Sequence, residues 1–183
     1  SRIPVWVFID DNAASAGALI AIACDSIYMK PGGKIGAATV VNQTGEQVPD
    51  KFQSYMRATM RATAEAQGKD TIVTGSDTLL VWRRNPAIAE AMVDPKLYVE
   101  GISDTGQVLT FTAFEAMENG YCEGTAESME EVIAKLGLEE YTLETYTPSP
   151  MDKVIGFLIN PLVSGVLIMI IIGAVLTSLT LAR

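Results

Sequence analysis

The chain has 183 residues, with 13 Lys plus Arg against 22 Asp plus Glu and no histidine. Residues 1–150 hold 11 of those cations and 21 of those anions, a net charge of −10, which disfavours nucleic acid as a partner because that binding depends on cationic groups displacing counterions. Without histidine, the chain alone offers no Ser-His-Asp or Cys-His arrangement and no His-based metal site; Cys24 and Cys122 are too few for a structural zinc cluster, and leave an inert thiol and a disulfide both open.

The sequence starts at Ser1 with neither a methionine nor a signal peptide, as expected of a piece of a longer or processed chain. Ile3 to Ile9 is almost wholly apolar, the pattern of a strand in a parallel sheet covered on both faces. Asp10-Asp11-Asn12 then turns the chain, and the small and apolar residues from Ala14 to Cys24 suit a buried helix. Ser26 to Met29 reads as a second strand. Pro31-Gly32-Gly33 forces a turn and Lys34 to Val41 resumes extended, with Gly36-Ala37-Ala38 allowing another chain or a ligand to come close. This alternation predicts an α/β architecture.

After a polar turn at Gln43 to Glu46, residues Phe52, Tyr55, Met56, Thr59, Met60 and Thr63 recur at three and four. That period predicts a helix from Asp50 to Gln67, stopped by Gly68. Gly68 to Arg84 has two turn signals around an apolar piece, Thr78 to Trp82, and reads as a loop or hairpin over the surface. Pro86 to Val93 is a helix with proline in its first turn. Tyr98 to Ile102 and Val108 to Thr112 are expected to pair as strands around Asp104-Thr105-Gly106. A short helix, Phe114 to Asn119, ends at Gly120, and Tyr121-Cys122 starts a turn or strand. Ser128 opens a helix to Leu136 in capping-box style. Tyr141 to Tyr146 is expected as a final strand and Thr147-Pro148-Ser149-Pro150 as a stiff linker.

From Val154 to Ala182 no charged residue occurs. Pro161 divides this run into an amphipathic lead-in at the membrane surface, Met151 to Asn160, and a spanning helix, Pro161 to Ala182. At ~1.5 Å per residue that helix is ~33 Å long, enough to cross a hydrocarbon core of ~30 Å. Gly165 and Gly173, with Ser164 and Ala174, offer a face for another membrane helix. Arg183, the one charge after the span, favours a cytoplasmic end there. The expected division is a catalytic domain over 1–147, a linker and interfacial lead-in over 148–160, and the start of a membrane region over 161–183.

The chemistry centres on Ala13-Ala14-Ser15-Ala16-Gly17, which puts a serine at a strand-to-helix junction. Small neighbours permit close approach, and the first N–H groups of the helix can hold negative charge on whatever the hydroxyl attacks. A structural N-cap serine is the plainer alternative. A nucleophilic Ser15 needs a base, and without histidine the candidate is a lysine. Lys51, at a helix start with Phe52 and Tyr55 available to strip its water, fits better than Lys30 and Lys34 at an exposed turn, or Lys69 after a helix stop. Asp50 opposes this choice unless its carboxylate points away.

Together with Asp25 to Ala38, Arg84-Asn85-Pro86 to Val93, and Asn160-Pro161 entering an apolar segment, these residues resemble the membrane-bound, ClpP-class serine proteases of the NfeD family, in motif order over nearly the whole chain. The resemblance implies a ClpP/crotonase-like fold, N-terminally incomplete here and followed by a transmembrane helix. It further implies a Ser-Lys dyad of Ser15 as nucleophile and Lys51 as base, with Ala16 N–H as one oxyanion donor and no metal or cofactor. The second donor is implied on a Gly-Gly turn ahead of Ile3, so a chain starting at Ser1 is expected to be inactive until that turn is supplied. By the same resemblance the domain lies outside the cytoplasm on a multi-pass cell-membrane protein. Its substrate is an apolar segment of a stomatin-like membrane protein, and its partners are the lipid bilayer and further copies of itself. Asp10-Asp11-Asn12 and the Gly68 to Arg84 segment, a candidate substrate flap, depart from the family pattern. Two other readings stand beside this one: a non-catalytic membrane scaffold for a stomatin- or flotillin-like partner, and an acyl-CoA enzyme, since fold alone does not fix function.

Overall fold

In the computed structural model, which describes residues 3–74 and 77–181, the apolar N-terminal run forms strand β1 (Trp6–Ile9) and then, past a bend at Asp10 and Asp11, a second short strand β2 (Asn12–Ala14). Helix α1 (Ala16–Ala23) follows, burying Ala18, Ala21 and Ile22. Strands β3 (Ser26–Met29) and β4 (Lys34–Gly36) come next. Later elements are α2 (Asp50–Ala66), the β5 (Lys69–Thr74) and β6 (Asp77–Trp82) hairpin, α3 (Pro86–Ala91), β7 (Thr110–Thr112), α4 (Ala113–Glu118), β8 (Gly124–Thr125) and α5 (Met129–Lys135). Ser1–Leu138 is one compact unit and Glu139–Arg183 a second.

The first unit is a mixed α/β body whose described residues form two three-stranded sheets and the two-stranded β5–β6 hairpin. One is all parallel, in the order β1-β3-β8, with Trp6 opposite Ser26 and Ile9 opposite Met29. In the other, β4 lies between a parallel β2 and an antiparallel β7, with Ala14 opposite Gly36 and Gly36 opposite Thr110. Side chains from both sheets and from α1, α2 and α3 meet in a single core that includes Ile22, Ile27, Met29, Ile35, Met60, Ile88, Met92 and Phe111. β1 is less covered than its sequence predicts. It is an edge strand, so only Ile9 is buried while Trp6 remains 38% exposed.

Two expected strand features do not form. Val108 to Thr112 does not pair with Tyr98 to Ile102; β7 instead takes the free edge of β4, while Val99 N–H and Ser103 O close a local turn at 3.1 Å. β4 offers three in-register partners, whereas the Tyr98 segment offers only this turn. Tyr141 to Tyr146 is irregular and exposed throughout. Several caps follow the sequence closely. Thr112 and Glu115 make a reciprocal capping box on α4, and Ser128 caps α5. The carboxylate of Glu131 accepts from Glu127 N–H at 2.7 Å, one residue before the expected donor.

The most deeply buried charge is Arg84, with no exposed surface. Its guanidinium donates to Cys24 O and Gly120 O, both at 3.2 Å, and pairs with Glu123 at 3.4 Å. It thereby ties the end of α1 to the end of α4, where a cation also suits the negative pole of α1. Burial lowers its pKa, and its Nε finds no partner. Cys24 and Cys122 are both buried free thiols, pushed up in pKa by burial, which matches the inert reading.

In the second unit, helix α6 (Pro150–Ile159) starts from a Ser149/Asp152 capping box, and helix α7 (Pro161–Leu181) follows at Pro161. Pro161–Ser178 has a mean hydropathy of 2.3, and none of it is buried against protein. Ser1, the hairpin tip Gly75-Ser76, and Ala182 with Arg183, on which the expected cytoplasmic end rests, lie outside the described residues.

Candidate active site

Ser15 occupies the single residue between β2 and α1, with φ 54° and ψ −120°. A non-glycine residue at positive φ stores strain of about 1–3 kcal/mol and persists only where its surroundings over-determine it. They do so here. Ser15 N–H donates to Gly36 O at 3.1 Å and to Ala37 O at 3.2 Å, extending the β2–β4 ladder by one step. Ser15 O in turn accepts from Ala18 N–H at 3.1 Å and starts the helix. The loop that holds Ser15 is itself pinned. Ala37, with φ 44°, donates to Leu109 O at 3.0 Å, and Ala38 donates to Met92 O at 2.6 Å.

Gly36 explains why the loop can sit there. Its φ is +137°, and a Cβ on it would strike Leu109 O and lie 2.9 Å from Thr110 Cα. The close approach read from Gly36-Ala37-Ala38 is therefore made by the chain's own segment entering β7.

Although Ser15 stands in the N-cap position, its side chain makes no cap hydrogen bond, so the plain N-cap reading does not describe it. The residue is exposed, as is Ala16 after it. The first N–H groups of α1, beginning with Ala16, have no intrahelical acceptor and carry the positive pole of the helix. A groove of about 390 Å³ borders this turn at Ala13 and Gly17, lined by the apolar Val7, Phe8, Ile9, Ile20 and Ala21 together with the polar Asp10, Asp11 and Asn12. An exposed hydroxyl next to a helix N-terminus is the pairing of groups that nucleophilic acyl transfer requires.

The lysines are distributed less favourably. Lys30 is paired with Asp10 at 2.9 Å, and that hydrogen bond raises its pKa, so it holds its proton. Lys34 reaches Gly32 O at 3.4 Å, and Lys69 lies over the Trp82 ring at 4.2 Å. Lys51 is in the first turn of α2, as the sequence predicts, and Asp50 is drawn away from it to Arg57 at 3.3 Å, where Arg57 also holds Asp94 at 2.8 Å. The expected desolvation does not occur. Helix α2 buries Gln53, Met60 and Ala64, which turns Lys51, Phe52 and Tyr55 outward; all three are exposed, Tyr55 to 76%. Lys51 Nζ rests 4.8 Å from the centre of the Phe52 ring, and among the described residues no hydrogen bond joins it to Ser15 Oγ.

Comparison with known proteins places this body among related chains. The family model of the NfeD1b N-terminal domain matches residues 1–79 and 76–146. Membrane protein NfeD1b of Bacillus subtilis is 35% identical over 171 residues, covering 93% of this chain and 36% of that protein. Membrane-bound protease PH1510 of Pyrococcus horikoshii is 26% identical over 200 residues, covering 96% of this chain and 39% of that one. The chain thus spans little more than a third of the length of these curated relatives. Among solved structures, a serine-to-alanine mutant of the 1510-N membrane-bound stomatin-specific protease superposes with a TM-score of 0.53 at 27% identity, over 73% of this chain and 55% of that one. A lysine-to-alanine mutant of the same protease, in complex with a substrate peptide, shares the fold with a TM-score of 0.58 at 24% identity, over 85% and 70%.

Proposed function

Because the chain belongs to the NfeD1b N-terminal domain family, we propose that it is the catalytic head of a membrane-anchored serine endopeptidase with a ClpP/crotonase-like fold, using Ser15 as nucleophile and Lys51 as general base. The observation that carries this reading is the strained, over-determined turn at Ser15, whose hydroxyl caps nothing and faces solvent beside a mainly apolar groove. Kinship to a membrane-bound protease supports the reaction class, and the stomatin specificity stated for the solved relative supports a stomatin-like membrane protein as substrate. The domain comprises 1–147 and is placed outside the cytoplasm, 148–160 leads to the bilayer surface, and 161–183 begins the membrane region of a multi-pass protein.

An extended apolar peptide enters the groove and reads backbone first, side chains second. Its arrival turns Lys51 Nζ from the Phe52 ring toward Ser15, and Lys51 takes the Ser15 proton as Oγ bonds to the scissile carbonyl carbon. Ala16 N–H donates to the oxyanion, joined by a second donor from the segment ahead of Ile3. The C–N bond breaks, the leaving amine takes the proton from Lys51, and Lys51 then deprotonates a water that hydrolyses the Ser15 ester. The chemistry calls on neither a metal nor a cofactor.

A non-catalytic membrane scaffold is the second reading, favoured by one observation: Lys51 faces Phe52 and makes no hydrogen bond to Ser15. Cleavage of an apolar peptide by the full-length protein separates the two. The protease reading expects turnover by the wild type that falls at least about a hundredfold in both Ser15→Ala and Lys51→Ala, with peptide binding kept by both. Binding by all three without cleavage by any would establish the scaffold.

A further inference from the structure

Of residues 50–59 of α2, Gln53 alone is buried, and it is polar. The N-cap Pro49 offers no side-chain bond to the turn that follows it, and a helix start without a cap frays unless something else holds it. The Gln53 amide does so. Its Oε1 accepts from Val40 N–H at 3.0 Å, and its Nε2 donates to Val40 O at 2.6 Å and to Val48 O at 3.4 Å. One side chain thus makes both of the backbone hydrogen bonds that a neighbouring strand would make to Val40.

Val40 lies on the connection between the two halves of the proposed site. Ahead of it, Ala37 O accepts from Ser15 N–H, Ala38 N–H donates to Met92 O, and Thr39 Oγ1 donates to Val93 O at 2.8 Å. Residues 40–48 then fold back on themselves: Asn42 N–H donates to Glu46 O at 2.8 Å, Val41 bridges Gln47, and Val48 N–H donates to Val40 O at 3.2 Å. Gln53 closes the root of this fold-back, just ahead of Lys51 in the chain. A flexible connection over 39–50 would have an r.m.s. span of roughly 20 Å, against the ~3 Å to which a base must approach the proton it takes. A second tie converges on the same place, since Arg57 of α2 holds Asp94, the residue after Val93, at 2.8 Å.

We infer that Gln53 is a positioning residue, whose amide sets the point from which the Lys51 side chain reaches toward Ser15. This role rests on the Ser15/Lys51 reading above and adds to it the group that ties the first turn of α2 to the loop holding Ser15. A merely structural amide accounts less well for the residue type. An apolar side chain at this buried position would stabilise the helix start without the desolvation cost of an amide, whereas three directed hydrogen bonds fix one placement of the turn. The Lys51 side chain itself stays on its exposed face, so Gln53 fixes where its stem begins and leaves its tip to the substrate-bound state.

The test reads the rate at which a fluorophosphonate modifies Ser15 in the full-length protein. Gln53→Met keeps a buried side chain of similar size and removes its amide. It should slow modification at least about tenfold in an otherwise wild-type chain, but less than about threefold in a chain that also carries Lys51→Ala, because a group acting through Lys51 then has nothing left to position. Met60→Ala opens a cavity further along α2 and controls for general loosening; its folded fraction should react within about threefold of wild type. Gln53→Glu keeps the acceptor for Val40 N–H and loses the two donated bonds, so it should react at least about threefold more slowly, and it decides the matter if Gln53→Met does not fold. Equal slowing by Gln53→Met with and without Lys51 would overturn the role, as would equal slowing by Met60→Ala, or no slowing by either Gln53 variant. A wild-type Ser15 that does not react would overturn the proposed function and this role with it, so the two failures are told apart.

Discussion

The turn at Ser15 and the start of α2 at Lys51 are the two halves of one proposed site, and the fold treats them differently. Ser15 is fixed by two backbone bonds to the Gly36-Ala37 loop, and that loop is fixed in turn by Leu109 and Met92. Lys51 is on an exposed helical face and touches one exposed ring. The contrast teaches that the proposed nucleophile is held by the body, whereas the proposed base is on a face of α2 that the fold leaves exposed. Strain can be stored only where packing over-determines a residue, and a long side chain on an exposed face is free to move until it is covered.

Substitutions sharpen this contrast in a definite order. The largest effect is expected from Ser15→Ala, with peptide cleavage by the full-length protein falling roughly 10⁴-fold or more while the melting temperature stays the same, because alanine keeps the same Cβ at the same positive φ. Lys51→Ala should lower turnover about 10²–10⁴-fold and leave chemical denaturation unchanged, because nothing in the fold depends on its side chain. Gly36→Ala should do the reverse of a clean catalytic change. Its Cβ meets Leu109 O and Thr110 Cα at positive φ, so urea melts should show a loss of about 3 kcal/mol together with lost turnover. If Lys51→Ala destabilised as much as Gly36→Ala, the distinction between a built half and a loose half would fail.

Arg84→Ala tests whether the body alone sets the Ser15 end of α1. It removes a buried cation and leaves Cys24 O and Gly120 O without their donor, which should cost about 3 kcal/mol in urea with the residual folded protein still active. The smallest effect lies at the α4 cap. Thr112 N–H and Oγ1 hold the Glu115 carboxyl below its ordinary pKa of 4.5. A depressed native pKa stabilises above the unfolded value, so this contribution is full at neutral pH and disappears as pH falls through the lowered value. Glu115→Gln should flatten that acid limb by less than about 1 kcal/mol.

How much of this was legible beforehand follows from range. Helix α2 matches its predicted span to within a residue at each end, because its apolar period and Gly68 are local signals. The Ser15 junction was equally plain, since small residues between an apolar strand and an apolar helix leave few alternatives. The positive φ at Ser15 was not, because it is imposed by Gly36 and Ala37 some twenty residues away. Pairing of β7 with β4 was missed for the same reason: a three-residue strand carries too little pattern to name its partner. Lys51 was correctly placed at a helix start, but its exposure depends on which face of α2 packs, and that is set by Gln53, Met60 and Ala64 meeting a core assembled from distant segments. Arg84 was seen only inside a motif; an arginine beside a second arginine gives no sign that one of them is fully buried.

The most direct measurement of the central claim is peptide mapping of the adduct formed by a fluorophosphonate on the full-length protein, across pH and in the presence of an apolar peptide. The account predicts modification at Ser15, blocked by the peptide, absent in Ser15→Ala and slowed at least about a hundredfold in Lys51→Ala. Modification of another residue, or Ser15 labelling at the same rate with and without the Lys51 amine, would contradict it.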